Sequence, residues 1–337
     1  MTFNSRETIE RTLGALLHEL SPQDQVVIVD NASTDGTPAA VKAASPVVTI
    51  IQNERNEGFA AACNQGAEVA SGDLVVLLNP DATVAAGFGE AIRRPLADNR
   101  GWDAWMALVT CEQGRAINTS GGIVHFTGIA WAGESGRPVR HAPDSPREVG
   151  FASGACLAIP RETWRAAGGF PARYFLYHED VDLSLRLRLR GGRIGIEPAA
   201  RVDHEYEFTK GPRKWRLLER NRWSMVLRVY PGALLVLLVP ALLATELVLV
   251  WVSLGGGWAR QKALAWVDVL RALPHLVRER RAIQSDRRVS ARDFAIHLTP
   301  DLDSAYLGRA ARSGLMRRAL RLYWRCVLFL LRARSAR

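Results

Sequence analysis

Three groups of polar residues in this sequence could do chemistry, and the first is the segment Asp73–Ala82, DLVVLLNPDA. Its apolar run Leu74–Leu78 is typical of a strand buried in an α/β sheet. Pro80 cannot continue a central strand, so Asp81 should lie at the strand's carboxyl end, where open α/β sheets bind ligands. A carboxylate there could hold a divalent metal and, through it, a diphosphate. A surface turn is the alternative interpretation, because NPD is a common turn sequence.

A second carboxylate, Asp30, ends another apolar run, QVVIVD, and is followed by the polar loop NASTDGT. Helical and strand patterns alternate around it up to Asp81, which predicts a parallel α/β sheet with right-handed crossovers. Asp30 and Asp81 are therefore expected at one sheet edge. The predicted elements are a helix from Ser5, a strand at Gln25–Asp30, a strand at Val47–Gln52 and a helix from Gly58 to about Ala70.

The third group follows the aromatic run YFLY and contains His178, Glu179, Asp180 and Asp182. The pattern places these residues at the start of a helix that ends at the Gly191–Gly192 pair. Acidic residues in a first helical turn are stabilised by the helix dipole, so capping is one interpretation. Capping does not account for three carboxylates and a histidine, whereas desolvated carboxylates beside a pocket suit general-base chemistry.

Composition and charge divide the chain into a near-neutral body and a basic tail. The 337 residues are 48% apolar, which is enough for one large domain with an appendage. Residues 256–337 contain 18 Lys/Arg and 6 Asp/Glu, whereas the preceding residues contain 26 and 28. The four cysteines are widely spaced and form no CxxC pair, which argues against a disulfide framework and a zinc site and indicates a reducing cytosolic setting.

The tail is predicted to associate with a membrane. Gly232–Leu254 carries a single charge, Glu246, and is long enough to cross about 30 Å of hydrocarbon. Pro240 and Glu246 argue against a plain spanning helix, so a kinked, re-entrant or interfacial segment, a helical hairpin, and a buried soluble helix pair stay open. Leu315–Arg334 reads as a basic amphipathic helix with interfacial Trp and Tyr, which suits an anionic bilayer better than nucleic acid.

Four runs follow one another along the chain: VVIVDNASTDGT, NEGFAAACNQG, GDLVVLLNPDA and GACLAIPRETWRAAGGFPARYFLYHEDVDLSLRLRLRGGRI. In this order they resemble the family 2 inverting glycosyltransferases. The likeness covers about Phe3–Arg222 and is greatest to bacterial rhamnosyltransferases of cell-wall and surface polysaccharide synthesis. It implies a GT-A fold: a Rossmann-like α/β domain with a mostly parallel sheet over residues 1–225. A helical, membrane-associated region would follow over residues 226–337.

The resemblance also implies a role for each matching position. Asp180 matches the general base, and Glu179 is a second candidate. Asp81 matches the aspartate that holds Mg²⁺ or Mn²⁺ against the donor diphosphate. His204 lies where some relatives have an extra metal ligand, and a structural histidine is its alternative. The positions that match nucleotide-sugar donor binding are Asn4, Asp30, Asn31, Asp35, Asn56, Gly58, Asn64 and Asn79.

The sequence departs from the family pattern at two places. Asn79 stands where the first aspartate of the metal motif is expected, so one charge is missing, although an amide can still bind a metal or a phosphate. The family also begins with a buried strand before a Thr-(Tyr/Phe)-Asn segment, here Thr2-Phe3-Asn4. Nearly all of that first strand is expected to be absent.

The resemblance, together with the basic, membrane-associated tail, implies transfer of L-rhamnose from dTDP-rhamnose to a polyprenyl-diphosphate-linked glycan at the cytoplasmic face of the bacterial plasma membrane. The expected partners are the nucleotide sugar, the lipid-linked acceptor and membrane lipids, without nucleic acid. Basic residues between Lys210 and Arg222 could contact the lipid diphosphate or simply be solvated. UDP-galactofuranose and UDP-N-acetylglucosamine are alternative donors, and a non-catalytic sugar- or lipid-binding scaffold is the alternative of another class. A nucleotidyltransferase would need a glycine-rich, arginine-containing loop after the first strand, and none is present.

Overall fold

The computed structural model describes residues 1–204, 211–302 and 314–335. Lys210 lies outside the described residues. Two compact units make up the chain. The first consists of residues 1–122, 132–184 and the described residues 193–204. The second consists of residues 123–131 and 185–192 with the described residues from 211 onward. The domain boundary at residue 225 stays a prediction.

Helices and parallel strands alternate at the start of the first unit, as the sequence predicted. Thr2 bridges to Asp30 in parallel and so extends the pairing beside β1 by one residue. Apolar side chains such as Leu13, Ile28 and Val41 form a buried core between these elements. The elements are α1 (Arg6–His18), β1 (Val27–Asp30), α2 (Thr37–Ala44), β2 (Thr49–Gln52) and α3 (Phe59–Val69), with β1 and β2 paired in parallel.

A seven-stranded sheet forms the rest of this unit's framework. The helices α4 (Phe88–Ala97) and α5 (Arg161–Ala167) belong to the same unit, and α6 (Glu179–Leu189) begins in it. Its main order is β3-β10-β5-β11-β4, with β6 on β5 and β9 on β11. The strands are β3 (Leu74–Leu78), β4 (Ala82–Val84), β5 (Ala104–Cys111), β6 (Ala116–Thr119), β9 (Arg147–Glu148), β10 (Cys156–Pro160) and β11 (Ile194–His204).

The sheet is mixed, so the prediction of a mostly parallel sheet is wrong. Among the described strands of this sheet only β5 and β11 pair in parallel, because β10 enters between β3 and β5 and runs opposite to both. Asp30 and Asp81 follow strands of two different sheets, so the prediction that they share one sheet edge is also wrong. An apolar run reports burial but carries no information on strand direction.

The two most apolar strands differ in burial. β3 has the predicted bounds, but it ends the strand order and is only partly buried, with Val76 36% exposed. The central strand β5 is the deeply buried one, and its residues Ala104–Val109 are fully inaccessible to solvent. The residues that follow β3 therefore begin at the end of the strand order and not at its centre.

The second unit is mainly helical. Aromatic pairs fill its core: Phe126 stacks on Trp324 with ring centroids 5.0 Å apart, and Tyr230 meets Phe294 edge-on at 5.5 Å. Its elements are the short strands β7 (Gly122–Val124) and β8 (Ala130–Ala132), then α7 (Arg213–Val229), α8 (Gly232–Gly255), α9 (Ala259–Ser285), α10 (Ala291–Ala295) and α11 (Gly314–Ser335).

α8 is one continuous helix, so the hairpin interpretation of residues 232–254 is wrong. Leu234, Leu238 and Leu242 are buried at a spacing of four, whereas most of the other faces are exposed. Among the described helices α8 is the one long and apolar enough to cross a membrane, with 17% of its apolar window buried. By length and composition alone, one such helix is weak evidence for membrane association.

Four charged side chains form an ion cluster beside α8: Glu219 and Arg222 from α7, Glu246 from α8 and Lys262 from α9. Lys262 Nζ lies 2.5 Å from Glu219 and 2.9 Å from Glu246, and Arg222 pairs with both carboxylates. Burial alone would raise the pKa of Glu219, but the charges of Arg222 and Lys262 outweigh it and lower that pKa to about 2. The isolated charge of the apolar segment is therefore compensated within the protein.

α11 has the predicted basic amphipathic character, but its Trp324 and Tyr323 pack within the protein, so the prediction that they are interfacial anchors is wrong. Trp324, Val327 and Leu331 are buried in the second unit, and the Tyr323 hydroxyl donates to the carbonyl of Leu237. This stripe faces inward because its spacing of three and four residues places it on one side of the helix. The apolar residues of α11 that face solvent include Leu322, Phe329 and Leu330.

Candidate active site

Asn79, Asp81 and His204 come together where β3 ends. The backbone N–H of Asn79 donates to the carbonyl of Ala155 at 3.1 Å, which anchors the turn that carries Asp81. β4 follows this turn and pairs with the last residues of β11, with His204 opposite Ala82. His204 Nε2 consequently lies 3.1 Å from Asp81 Oδ1 and 3.4 Å from Asn79 Nδ2.

The chemistry of this cluster fits a divalent cation. Asn79 Oδ1 is buried and accepts no hydrogen bond from the described residues. A carboxylate and an amide oxygen are ligands that suit Mg²⁺ and Mn²⁺, and the His204 imidazole adds a nitrogen ligand. The part of the chain that the structure describes holds no group of three His, Cys, Asp or Glu side chains with metal-site geometry. The fit therefore depends on the amide of Asn79 as the third group.

Asp180 is the carboxylate of the third group that reaches the surface. It is half-buried, whereas Glu179 and Asp182 are buried. Asp180 Oδ2 accepts from Gly154 N at 2.9 Å, and Asp182 Oδ2 accepts from the Tyr174 hydroxyl at 2.8 Å. Successive helical residues point in directions about 100° apart, so these neighbours face different surroundings. Asp182 therefore has a structural partner, whereas Asp180 is the carboxylate of this group that solvent reaches.

Burial raises the pKa of both Glu179 and Asp180, and the effect is greater for Glu179. Glu179 is desolvated and also close to the Asp180 carboxylate, and its Oε2 accepts no hydrogen bond from the described residues. The pKa of Asp180 is raised by burial although the backbone N–H groups of Gly154 and Val181 oppose this. We infer that Glu179 favours the protonated form, while Asp180 is better suited to ionise.

Backbone geometry before Asp180 is strained. Phe175, Tyr177 and His178 have φ values of 64°, 73° and 67°, which non-glycine residues rarely adopt. Phe175 also packs on Gly58, where a Cβ atom would lie 2.5 Å from the Phe175 ring. Strain of this kind persists only where surrounding structure holds it, and it concentrates at functional sites.

The residues predicted to bind the donor's nucleoside lie in the loops that follow β1 and at the chain start. Asp30 is buried and accepts hydrogen bonds from Thr2 and Ser33. Asp35 accepts from the backbone N–H groups of Arg6 and Thr37, at the starts of α1 and α2. The Asn4 side chain accepts from Thr34 N. These contacts shape the loop, and donor binding by Asn4, Asp30 and Asp35 stays a prediction.

Four of the other predicted donor residues lie within α3 or contact its start. Asn31 is fully buried and donates to the carbonyl of Gly58, whose N–H in turn donates to Asn56. Asn64 makes both of its hydrogen bonds to the backbone of Phe170, at 2.8 and 2.9 Å. Asn64 thus has the geometry of a brace between α3 and the loop at Phe170. Its contact with a donor is not tested by this arrangement.

Two adjacent residues connect the metal-type cluster with Asp180. The N–H of Gly154 donates to Asp180, and the carbonyl of Ala155 accepts from Asn79. The ring of Phe59 lies against Gly154, where a Cβ would be 3.4 Å from it. No motif in the sequence predicted a role for Gly154, Ala155 or Phe175. The available signal was the small-residue run ASGA before an apolar strand, which indicates a close backbone approach.

Comparison with known proteins identifies the family of this chain. The model of the family described as "Glycosyl transferase family 2" matches residues 1–161. The N-acetylglucosaminyl-diphospho-decaprenol L-rhamnosyltransferase of Mycobacterium tuberculosis is 30% identical over 239 residues, which cover 63% of this chain and 76% of that protein. The O-antigen biosynthesis protein RfbC of Myxococcus xanthus is 26% identical over 219 residues, which cover 60% of this chain and 16% of that protein.

Solved structures support the fold. GalNAc-T7 with UDP, GalNAc and Mn²⁺ superposes with a TM-score of 0.53 at 18% identity, over 67% of this chain and 46% of that chain. TarS 1–349 of S. aureus in complex with UDP has a TM-score of 0.50 at 17% identity, over 98% of this chain and 89% of that chain. At these identities the likeness concerns the fold, which is that of GT-A glycosyltransferases. The chain belongs to glycosyltransferase family 2.

Proposed function

We propose that the protein is an inverting glycosyltransferase that transfers a sugar from a nucleotide donor to a lipid-linked glycan. The observation that carries the proposal is the Gly154–Ala155 link, which ties an available carboxylate, Asp180, to the Asn79–Asp81–His204 cluster. A displacement at an anomeric carbon needs a base on the acceptor side and charge compensation on the leaving-group side. The two halves of this site supply one each.

Asp180 would act as the general base. Its ionised carboxylate would take the proton of an acceptor hydroxyl while that oxygen attacks the anomeric carbon opposite the leaving diphosphate. The bonds to Gly154 N and Val181 N hold the carboxylate in place and favour its ionised form. Glu179, buried with a strongly raised pKa, ranks below Asp180 as a base.

Asn79, Asp81 and His204 would hold the donor's diphosphate end. Mg²⁺ or Mn²⁺ bound by these side chains would supply compensation for the negative charge of the diphosphate. His204 contacts Asp81 directly and so orients its carboxylate. Asn4, Asp30, Asn31, Asp35, Asn56, Gly58 and Asn64 would form or brace the nucleoside and sugar pocket.

We further propose L-rhamnose from dTDP-rhamnose as the donor sugar and a polyprenyl-diphosphate-linked glycan as the acceptor. The support is the 30% identity to the mycobacterial enzyme, whose name describes rhamnosyl transfer to a diphospho-decaprenol-linked N-acetylglucosamine. UDP-galactofuranose and UDP-N-acetylglucosamine are the competing donors. We propose that the reaction takes place at the cytoplasmic face of the bacterial plasma membrane, because the proposed donor is a nucleotide sugar and the proposed acceptor is lipid-linked.

Membrane contact would come from the second unit, with α8 lying in the interface rather than across the bilayer. Glu246 joins α8 to charged residues of α7 and α9, and a spanning α8 would draw those charges toward hydrocarbon, which is costly. The outward face of α8 is apolar and would enter the lipid. Its exposed residues include Val236, Val239, Leu243, Leu247 and Trp251.

A donor panel tests this function. The purified full-length protein is incubated with each nucleotide sugar, a polyprenyl-diphospho-N-acetylglucosamine acceptor and Mn²⁺ or EDTA, and the lipid product is measured. Asp180→Asn should lower turnover by roughly 10²–10⁴-fold, with its thermal melt unchanged. Asp73→Asn, an exposed carboxylate ahead of β3, is the control and should keep wild-type turnover. Full activity of Asp180→Asn would refute the assignment of the base, and donor binding without turnover of any sugar would favour the scaffold alternative.

A further inference from the structure

We propose that a cavity in the second unit binds the phosphate-bearing headgroup of an anionic membrane lipid. The cavity has a volume of about 730 Å³ and lies at the start of α8. The residues that line it include Gly232 of α8, Arg280 and Arg281 of α9, Arg287, which follows α9, and Leu331 of α11. It is separate from the Asn79–Asp81–His204 cluster and from the ion cluster around Glu246.

The cavity gathers positive charge without a carboxylate among its lining residues. Arg280 donates to the carbonyls of Leu227 and Tyr230 at 2.7 and 2.8 Å, which fixes its guanidinium at the cavity wall. Burial and the nearby charge of Arg287 lower the pKa of Arg280. Cations held together in this way are stabilised by an anion, and the planar guanidinium matches a phosphate in particular.

The neighbouring acids have other partners. Asp286 is paired with Arg190. The Asp293 carboxylate accepts a hydrogen bond from the Ser290 hydroxyl at 2.7 Å, and the hydroxyl oxygen of Ser290 caps α10 by accepting from the backbone N–H of Asp293. Arg281 and Arg287 are exposed at the cavity. The amino-terminal end of α8 adds its partial positive charge to that of the arginines.

Apolar surface next to the cavity favours a lipid over a soluble anion. Ala233, Val277 and Leu331 contribute apolar lining. Val236 lies one turn along α8 from Ala233 and is 62% exposed, and Leu330 beside Leu331 is 47% exposed. A lipid would place its phosphate on the arginines and its acyl chain along the exposed face of α8, whereas a free phosphate would use the arginines alone.

This inference rests on the proposed membrane association but not on sugar transfer. The experiment measures binding of the full-length protein to vesicles of phosphatidylcholine with and without phosphatidylglycerol. The cavity variant is Arg281→Gln/Arg287→Gln. The control variant is Arg271→Gln/Arg278→Gln, which removes the same charge from exposed positions of α9 outside the cavity lining. Inorganic phosphate and pyrophosphate are titrated separately by calorimetry.

The cavity variant should lose at least tenfold more affinity for the anionic vesicles than the control variant. Both should keep the wild-type thermal melt and wild-type turnover of a short-chain, water-soluble acceptor. Equal losses in the two variants would refute the site, because diffuse attraction depends only on charge. Binding of pyrophosphate that is lost in the cavity variant, without any preference for anionic vesicles, would assign the cavity to a soluble anion and refute the lipid. Failure of the wild type to bind any vesicle would refute membrane association itself, whereas absence of turnover would affect only the proposed function.

Discussion

Replacement of Glu246 by leucine should destabilise the second unit strongly, although leucine suits an apolar helix better than glutamate does. Glu246 balances two cations that are almost fully buried, Arg222 and Lys262, whose side chains are each 2% exposed. It also accepts hydrogen bonds from the indole N–H groups of Trp223 and Trp266, at 3.0 and 2.9 Å. The substitution leaves these two cations with Glu219 as the single remaining carboxylate of the ion cluster.

The magnitude follows from these contacts. Removal of one partner from a buried ion pair costs about 3–5 kcal/mol, because a charge stays buried without compensation. Loss of the acceptor for Trp223 adds roughly 1 kcal/mol, whereas Trp266 is partly exposed and can turn to water. The total of about 4–6 kcal/mol corresponds to a fall in Tm of roughly 8–24 °C, at about 2–4 °C per kcal/mol for a unit of this size.

Thermal unfolding followed by tryptophan fluorescence measures the effect, because Trp223 and Trp266 lie at the ion cluster. Lys262→Met, which leaves two carboxylates on one guanidinium, should be similarly harmful. The double variant Glu246→Leu/Lys262→Met keeps a balanced Glu219–Arg222 pair. Its loss of unfolding free energy should therefore be at least about 2 kcal/mol smaller than the sum of the losses in the two single variants. Glu90→Leu removes a paired but exposed carboxylate and serves as the control, with an expected change below about 1 kcal/mol. A Glu246→Leu melt within about 2 °C of wild type, or additive effects in the double variant, would refute the reasoning.

Three other outcomes are expected from the first unit. The pKa of Glu179 is raised in the folded state, so the folded protein holds a proton that the unfolded chain releases. The free energy of unfolding should therefore fall as the pH rises from the ordinary carboxyl pKa through the raised pKa of the folded state, by up to about 1.4 kcal/mol per pH unit. Glu179→Gln should flatten this decline in urea unfolding between pH 5 and pH 8. Gly58→Ala should destabilise by about 2 kcal/mol or more, because φ is 90° there and the new Cβ would meet Phe175; a melt like that of wild type would contradict the strain. His204→Ala should weaken Mn²⁺ binding by roughly 10–100-fold in calorimetry, since the Asp81 carboxylate loses its partner.

Glu179→Gln and His204→Ala each have a matched comparison variant. The Glu179→Gln slope is read against Asp73→Asn, an exposed carboxylate in the same unit. An unchanged slope would mean that Glu179 ionises normally in the folded state. His141→Ala, at an exposed histidine, should leave Mn²⁺ binding as it is in wild type. Equal binding by the His204 and His141 variants would remove His204 from the metal site.

Local patterns in the sequence were enough for the helices and strands of the first 78 residues and for the membrane-length segment. The bounds of β3 agree with the predicted Leu74–Leu78, and the helix that begins at Glu179 lies where three carboxylates and the Gly191–Gly192 stop indicated. These features depend on neighbours within a few residues, through apolar periodicity, Pro and Gly breaks and acidic first turns. The order of the motifs was also enough for the family.

Long-range pairing decided the rest. The direction of β10, the contact of His204 with Asp81 across more than 120 residues, and the pairing of Glu246 with α7 and α9 all join segments that no local pattern connects. Which of the three carboxylates are buried was also a tertiary outcome, because Glu179, Asp180 and Asp182 share one helix turn and differ in what the rest of the chain places against them.

The sequence by itself thus determined the residue types, their local elements and the chemistry they can support. The tertiary structure decided which of them meet and which stay buried. The physical reason is that helix and strand formation depend on short-range sterics and periodicity, whereas desolvation, charge pairing and strand direction depend on what the distant parts of the chain place against each side chain.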